Sequence, residues 1–116
     1  MKKYDGSCHC GKVKFEVEID LKEALSCNCS ICFCKGTLLS FVSENKFNLI
    51  SGAESLTDYQ FGKKSIHHTF CSNCGVTAFA SGKMPDGTRI KAINIRCLAE
   101  ISLEQIKINN FDGKNI

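Results

Sequence analysis

Cysteine placement constrains this chain more than any other feature. Cys27, Cys29 and Cys32 fall within six residues, and Cys34 follows two positions on. Cys8 and Cys10 lie upstream, Cys71 and Cys74 downstream, and Cys97 stands alone. Nine cysteines in 116 residues leave two options, a disulfide-stapled secreted scaffold or a metal-binding domain. An odd count strands one thiol in an oxidising compartment. The N-terminus, Met1-Lys2-Lys3-Tyr4-Asp5-Gly6, has a basic start with no apolar run behind it, so no secretory leader is read there. Both points favour reduced thiols that ligate metal, and a cytoplasmic location is expected. No stretch approaches the ~18 apolar residues of a membrane helix.

Zinc takes four ligands in a tetrahedron and suits thiolate sulfur. Cys71-Ser72-Asn73-Cys74-Gly75 is a half-site: one turn aims both sulfurs at an ion, and the glycine accepts the backbone twist that follows. Cys8-His9-Cys10 supplies a second half, because alternate residues of an extended chain point the same way. The set Cys8, Cys10, Cys71 and Cys74 is thus expected to form a closed, structural zinc site. Cys27, Cys29 and Cys32 remain as a group of three. Three protein ligands plus an open position is the usual form of a catalytic zinc. Such an ion binds water or a thiol and lowers its pKa. In the other arrangement a fourth side chain closes the site, with Cys34, Cys97, His67 and His68 as candidates. Spacing alone does not choose between the two.

Those candidates have bland readings as well. Cys34 reads equally as a spare thiol, and Cys97, in a β-rich run, as core. His68 shares a face with Ile66 and Phe70 and reads as packed, while His67 faces the other way. Asp58, Asp86 and Asp112 read as turn or surface residues, since no spacing pairs them.

Val13, Phe15, Val17 and Ile19 alternate with charged residues, the period of a half-buried strand. Residues 20–25 read as a loop or one helical turn, and the central cysteine cluster as a tight loop closed by Gly36. Further strands are expected at 38–42, 47–51, 57–61, 66–70, 76–80 and 89–98, with a hairpin turn at Gly62-Lys63-Lys64 and a turn at Pro85-Asp86-Gly87. Ser102-Leu103-Glu104-Gln105 resembles a capping box that opens a short helix. The expected architecture is a single all-β domain over residues 1–116, with small antiparallel sheets stapled by zinc and little helix.

Charge and motif content exclude several functions. The net charge is +3 and like charges do not run in blocks, so nucleic acid is not an expected partner. There is no Gly-rich phosphate loop and no Gly-X-Ser-X-Gly elbow. A redox role for Cys71-X-X-Cys74 lacks the βαβ pattern that accompanies it.

Three motifs carry a resemblance. They are Gly6-Ser7-Cys8-His9-Cys10-Gly11, Cys27-Asn28-Cys29-Ser30-Ile31-Cys32 and Phe70-Cys71-Ser72-Asn73-Cys74-Gly75, extended by Asn94-Ile95-Arg96-Cys97-Leu98 and Phe111-Asp112-Gly113-Lys114-Asn115. In these the chain resembles the glutathione-dependent formaldehyde-activating enzyme (Gfa) family, which also includes centromere protein V. The resemblance implies a β-tent fold with two zinc ions. One would be structural on Cys8, Cys10, Cys71 and Cys74, and a second, labile one would sit on Cys27, Cys29 and Cys32. It implies a carbon–sulfur lyase resembling S-(hydroxymethyl)glutathione synthase, with glutathione or a related thiol as partner. The alternative is a non-catalytic zinc module that binds a protein or nucleic acid.

Overall fold

Alternation in β2 (Lys14–Ile19) organises the core. Phe15, Val17 and Ile19 are buried while Lys14 stays exposed. The computed structural model describes residues 1–115. It places β2 at the centre of a three-stranded antiparallel sheet, between β1 (Lys2–Ser7) and β5 (Phe47–Ser51). Gly6 stands opposite Phe15. A side chain there would overlap the Phe15 ring, so the glycine makes room for the largest residue of the core.

A seven-stranded sheet packs against this one, in the order β10-β3-β4-β9-β8-β7-β6. Its strands are β3 (Glu23–Cys27), β4 (Leu39–Ser43), β6 (Leu56–Tyr59), β7 (Ile66–Cys71), β8 (Phe79–Lys83), β9 (Arg89–Asn94) and β10 (Lys107–Phe111). Phe79 and Ile93 are paired across β8 and β9 and point at the first sheet. An aromatic trio closes the seam, with Phe15 5.2 Å from Phe47 and 5.9 Å from Phe79. Such pairs add to plain area burial because ring edges and faces carry opposite partial charge.

Period two decides what the far face of the larger sheet carries. Leu25, Leu39, Phe41, Ile66, His68, Ala80 and Ala92 alternate with core-facing neighbours and look away from the first sheet. That face is covered only in part, by helix α1 (Ser30–Lys35) and Phe111.

The all-β expectation holds, and several local expectations are corrected. Glu23–Cys27 is a strand, not a loop or helical turn, because it gains partners on both sides, β4 and the distant β10. The β10–β3 pair is parallel, in a fold otherwise paired antiparallel among the described residues. The central cluster is not a loop throughout. After Cys29 it winds into α1, which ends at Gly36 in a left-handed conformation (φ 68°) with its N–H on Cys32 O at 2.9 Å. The strand expected at 76–80 lies at Phe79–Lys83. The strand expected at 89–98 stops at Asn94, whose side chain accepts from the Arg96 N–H at 3.3 Å and caps a 3₁₀ turn at Ile95–Cys97. Ser102 makes no side-chain cap, and only a 3₁₀ turn follows, at Leu103–Gln105. β1 was not expected, since Lys2–Ser7 is mostly exposed and lacks an apolar stripe.

Candidate metal centre

Two turns of similar build bring the first four sulfurs together. In one, the Cys8 N–H donates to Val13 O at 3.0 Å and the Gly11 N–H to Cys8 O at 3.3 Å. In the other, the Cys71 N–H donates to Val76 O at 3.0 Å and the Gly75 N–H to Cys71 O at 2.7 Å. Gly11 (φ 85°) and Gly75 (φ 79°) take the left-handed step that reverses each chain. The first turn joins β1 to β2 and the second leaves β7, so the pairing ties the two sheets together.

Sγ of Cys8 lies 3.7 Å from that of Cys10, and Cys10 Sγ lies 3.6 Å from that of Cys71. All four sulfurs, with Cys74, are within 4.8 Å of one another. A zinc tetrahedron with bonds of about 2.3 Å has sulfur–sulfur edges of about 3.8 Å, so the spacing fits that ion. The electrostatics suit thiolates too. Backbone N–H groups of Cys10 and Val76 bring Cys74 down to about 6. The Asn73 side chain, followed by the Lys12 backbone, lowers Cys10.

The second group sits where β3 becomes α1. Cys27 ends the strand, Cys29 occupies the N-cap, and Cys32 lies in the helix. Their sulfurs also fall within 4.8 Å of one another, and the Cys29 N–H points at Cys27 Sγ from 3.4 Å. Burial, with the charges of Cys29 and Cys27 behind it, pushes Cys32 up to about 12. Burial also opposes ionisation of Cys29, yet bonds from the Cys32 backbone and thiol and from the Cys27 thiol outweigh it and lower its pKa. A bound metal would favour the thiolate form of these cysteines.

Among the described residues no fourth histidine, cysteine or carboxylate joins this group. Cys34 is exposed on the outside of α1. Cys97, a candidate fourth ligand from the sequence, is not brought to Cys27, Cys29 and Cys32. Its Sγ lies 3.8 Å from Thr77 O and 3.7 Å from Asn94 Nδ2. Burial, followed by the charges of Cys8 and Cys74, pushes it up to about 11, which sets it beside the first group. His67 bonds Asp58 at 2.6 Å, a pairing that sequence spacing had not suggested. It forms because Asp58 and His67 lie on neighbouring strands, β6 and β7.

The three-cysteine group opens onto a cavity of about 260 Å³. Leu39, Phe41, Ile66, His68, Lys35 and Phe111 are among its walls. His68 stacks on Phe61 at 5.3 Å. Burial, followed by the Lys35 charge, lowers its pKa, so its imidazole is neutral at physiological pH. Lys35 donates to Thr77 Oγ1 at 2.7 Å. Apart from the cysteines and His68, these lining residues were not legible beforehand, since the cavity draws on six strands and a helix.

The terminal motif braces the same loop. Asn28 Nδ2 donates to Asp112 Oδ1 at 2.9 Å, and the Lys114 N–H donates to Asn28 Oδ1 at 2.9 Å. Asn115 Nδ2 donates to Asp112 Oδ2 at 2.7 Å. Gly113 packs directly on Cys27: a methyl group built there would lie 2.6 Å from Cys27 Sγ.

The chain is similar to a crystal structure of a Rhodobacter sphaeroides protein, with 29% identity and a TM-score of 0.78 over 90% of this chain and 99% of that one. The sequence model of the glutathione-dependent formaldehyde-activating enzymes matches residues 3–108. The cysteine turns, the two-sheet fold and this match together place the chain in the glutathione-dependent formaldehyde-activating enzyme family.

Proposed function

We propose that this protein is a zinc-dependent carbon–sulfur lyase. It would interconvert a thiol–aldehyde adduct with the free thiol and aldehyde, as in the formation of S-(hydroxymethyl)glutathione from glutathione and formaldehyde. One observation carries the reading. Cys27, Cys29 and Cys32 converge with no fourth ligand from the described residues, and they face a cavity.

On this reading Cys8, Cys10, Cys71 and Cys74 hold a closed, structural zinc. Cys27, Cys29 and Cys32 hold a second zinc and leave one position for a ligand. When bound there, zinc would supply Lewis acidity that favours the thiolate form of a substrate thiol. The chain's own groups do the rest. In the lyase direction a ring nitrogen of His68, neutral at physiological pH, takes the proton of the adduct hydroxyl. The carbonyl forms as the carbon–sulfur bond breaks, and its electron pair stays on sulfur. In the other direction His68 returns that proton to the new hydroxyl. The Asn28–Asp112–Lys114 network fixes the loop, and α1 and Phe111 line one side of the cavity. A non-catalytic module would call for a fourth side chain closing the second site, and Cys34, Cys97, His67 and His68 all lie outside the three-sulfur group.

The test is metal stoichiometry on protein purified without air, with and without added thiol, beside Cys29→Ala. Two zinc ions per chain are expected, one of them lost in the variant, with sulfur coordination at the labile site rising on addition of thiol. A single zinc that survives the variant, or a second that is blind to thiols, would move the reading to a structural module.

A further inference from the structure

We propose that the thiol taken by the Cys27, Cys29 and Cys32 centre carries an apolar body of about phenyl size, lying on a floor made by Ala80, Ala92 and Gly82. This rests on the reading of that centre as a thiol site, and it departs from glutathione as the preferred partner.

Strand register builds the floor. Phe41, Ala92 and Ala80 stand side by side across β4, β9 and β8, and Ile90, Gly82 and Ile66 form the next row across β9, β8 and β7. In each row the position on β8 is small and an outer strand supplies a large apolar residue. A sheet face so patterned is hollow in the middle and walled by Phe41 and Ile66. Phe111, beside Cys27 on β10, also lines the cavity. These walls are not sealed: Phe41 is 50% exposed, Ile66 46% and Phe111 40%. Three large apolar side chains left wet around one cavity gain from an apolar occupant.

Charge points the same way. Glutathione carries two carboxylates and an amino group, and its recognition calls for fixed cationic donors, best supplied by arginine. The cavity has no arginine. Apart from the cysteines its ionisable groups are Lys35, Lys83 and His68, and Lys35 already bonds Thr77. Arg89 and Lys91 do lie on β9, but they alternate with Ile90 and Ala92 and so stand on the opposite face of the sheet. The fold places its basic stripe behind the cavity and its small and apolar residues inside it.

The reaction balances without a co-reactant. An adduct R–S–CH(OH)–R′ gives RSH and O=CH–R′. The carbon–sulfur bond breaks, its electrons stay on sulfur, and the hydroxyl proton is the one the thiol regains. Only R differs from glutathione.

The experiment titrates the zinc-loaded full chain with 2-phenylethanethiol, ethylbenzene and glutathione, followed by NMR of the Ile66 and Leu39 methyl groups. The thiol-free ethylbenzene tests the hollow apart from the metal. We expect 2-phenylethanethiol to bind about tenfold or more tighter than glutathione, the scale of removing a phenyl group from water. Ethylbenzene should shift the Ile66 and Leu39 methyls. Ala92→Leu, which fills the floor, should weaken both apolar probes by about tenfold or more. Phe41→Ser, at an exposed position, gives the same reading from the wall if the floor variant fails to fold, and zinc stoichiometry reports on folding in each. Glutathione binding as tightly as 2-phenylethanethiol, or ethylbenzene leaving those methyls unmoved, overturns the inference and leaves the lyase reading intact. Failure of both thiols to bind overturns the two together.

Discussion

Gly113→Ala isolates the link between the terminal motif and the proposed second zinc site. Gly113 opens a 3₁₀ turn and its φ is not positive, so alanine fits the backbone. By chain entropy alone the substitution would stabilise the fold by about 0.4–1 kcal/mol. The new methyl, however, would lie 2.6 Å from Cys27 Sγ, where ordinary contact begins at 3.4 Å. The sulfur or the turn must retreat by about 0.8 Å, against a tolerance of about 0.2 Å for a metal–ligand distance. Disturbing groups that merely support a ligand costs about 10–100-fold in metal affinity, or about 1.4–2.7 kcal/mol. Competition with a chromophoric chelator should therefore show the second zinc weakened by at least that factor. The first zinc should be unchanged, because Cys8, Cys10, Cys71 and Cys74 lie in separate turns. A variant that holds its second zinc like the parent would refute the placement of Cys27 as a ligand braced by this turn.

Other outcomes follow from the same structure. Cys71→Ser removes a fully buried thiol from the proposed structural zinc site. A structural zinc contributes about 10–16 kcal/mol of binding energy against a net stability of about 5–15 kcal/mol for a whole domain, so far-UV circular dichroism should show loss of the fold. Phe15→Ala empties the seam between the sheets, where Phe15 touches Phe47 and Phe79. It should cost about 3–5 kcal/mol in a denaturant melt. His68 should titrate by NMR below its ordinary value of 6.5, chiefly from burial and next from Lys35. Lys35→Gln should bring it part of the way back. Because the folded pKa is the lower one, the unfolded chain binds this proton first, so stability should fall as pH drops below about 6.5.

Legibility followed the range of the interactions. The turn at Cys71–Gly75 is local: two thiols, two spacers and a glycine suffice to aim the sulfurs, and it was read correctly. The helix at Ser30–Lys35 was missed because its residues bury no full apolar stripe. It is held instead by the left-handed Gly36 and by the sheet beneath it. The strand at Glu23–Cys27 was missed because its partner, β10, lies at the far end of the chain and pairs in parallel. Cys97 was read as core in a β-rich run, or as a fourth ligand. It settled beside Thr77 and Asn94 because β9 ends one residue before the 3₁₀ turn that carries it.

By itself the sequence determined the two cysteine groups, the all-β class and the family. All three rest on local chemistry: thiol spacing, glycine at forced turns, and period-two burial along single strands. Tertiary structure alone decided what those groups face. The hollow of Ala80, Ala92 and Gly82, its walls of Phe41 and Ile66, and the brace from Asp112 to Asn28 join residues far apart in the chain. No local pattern encodes such a neighbourhood. It exists only once register has chosen which side chains stand abreast, and a one-residue slip would turn every one of them to the other face.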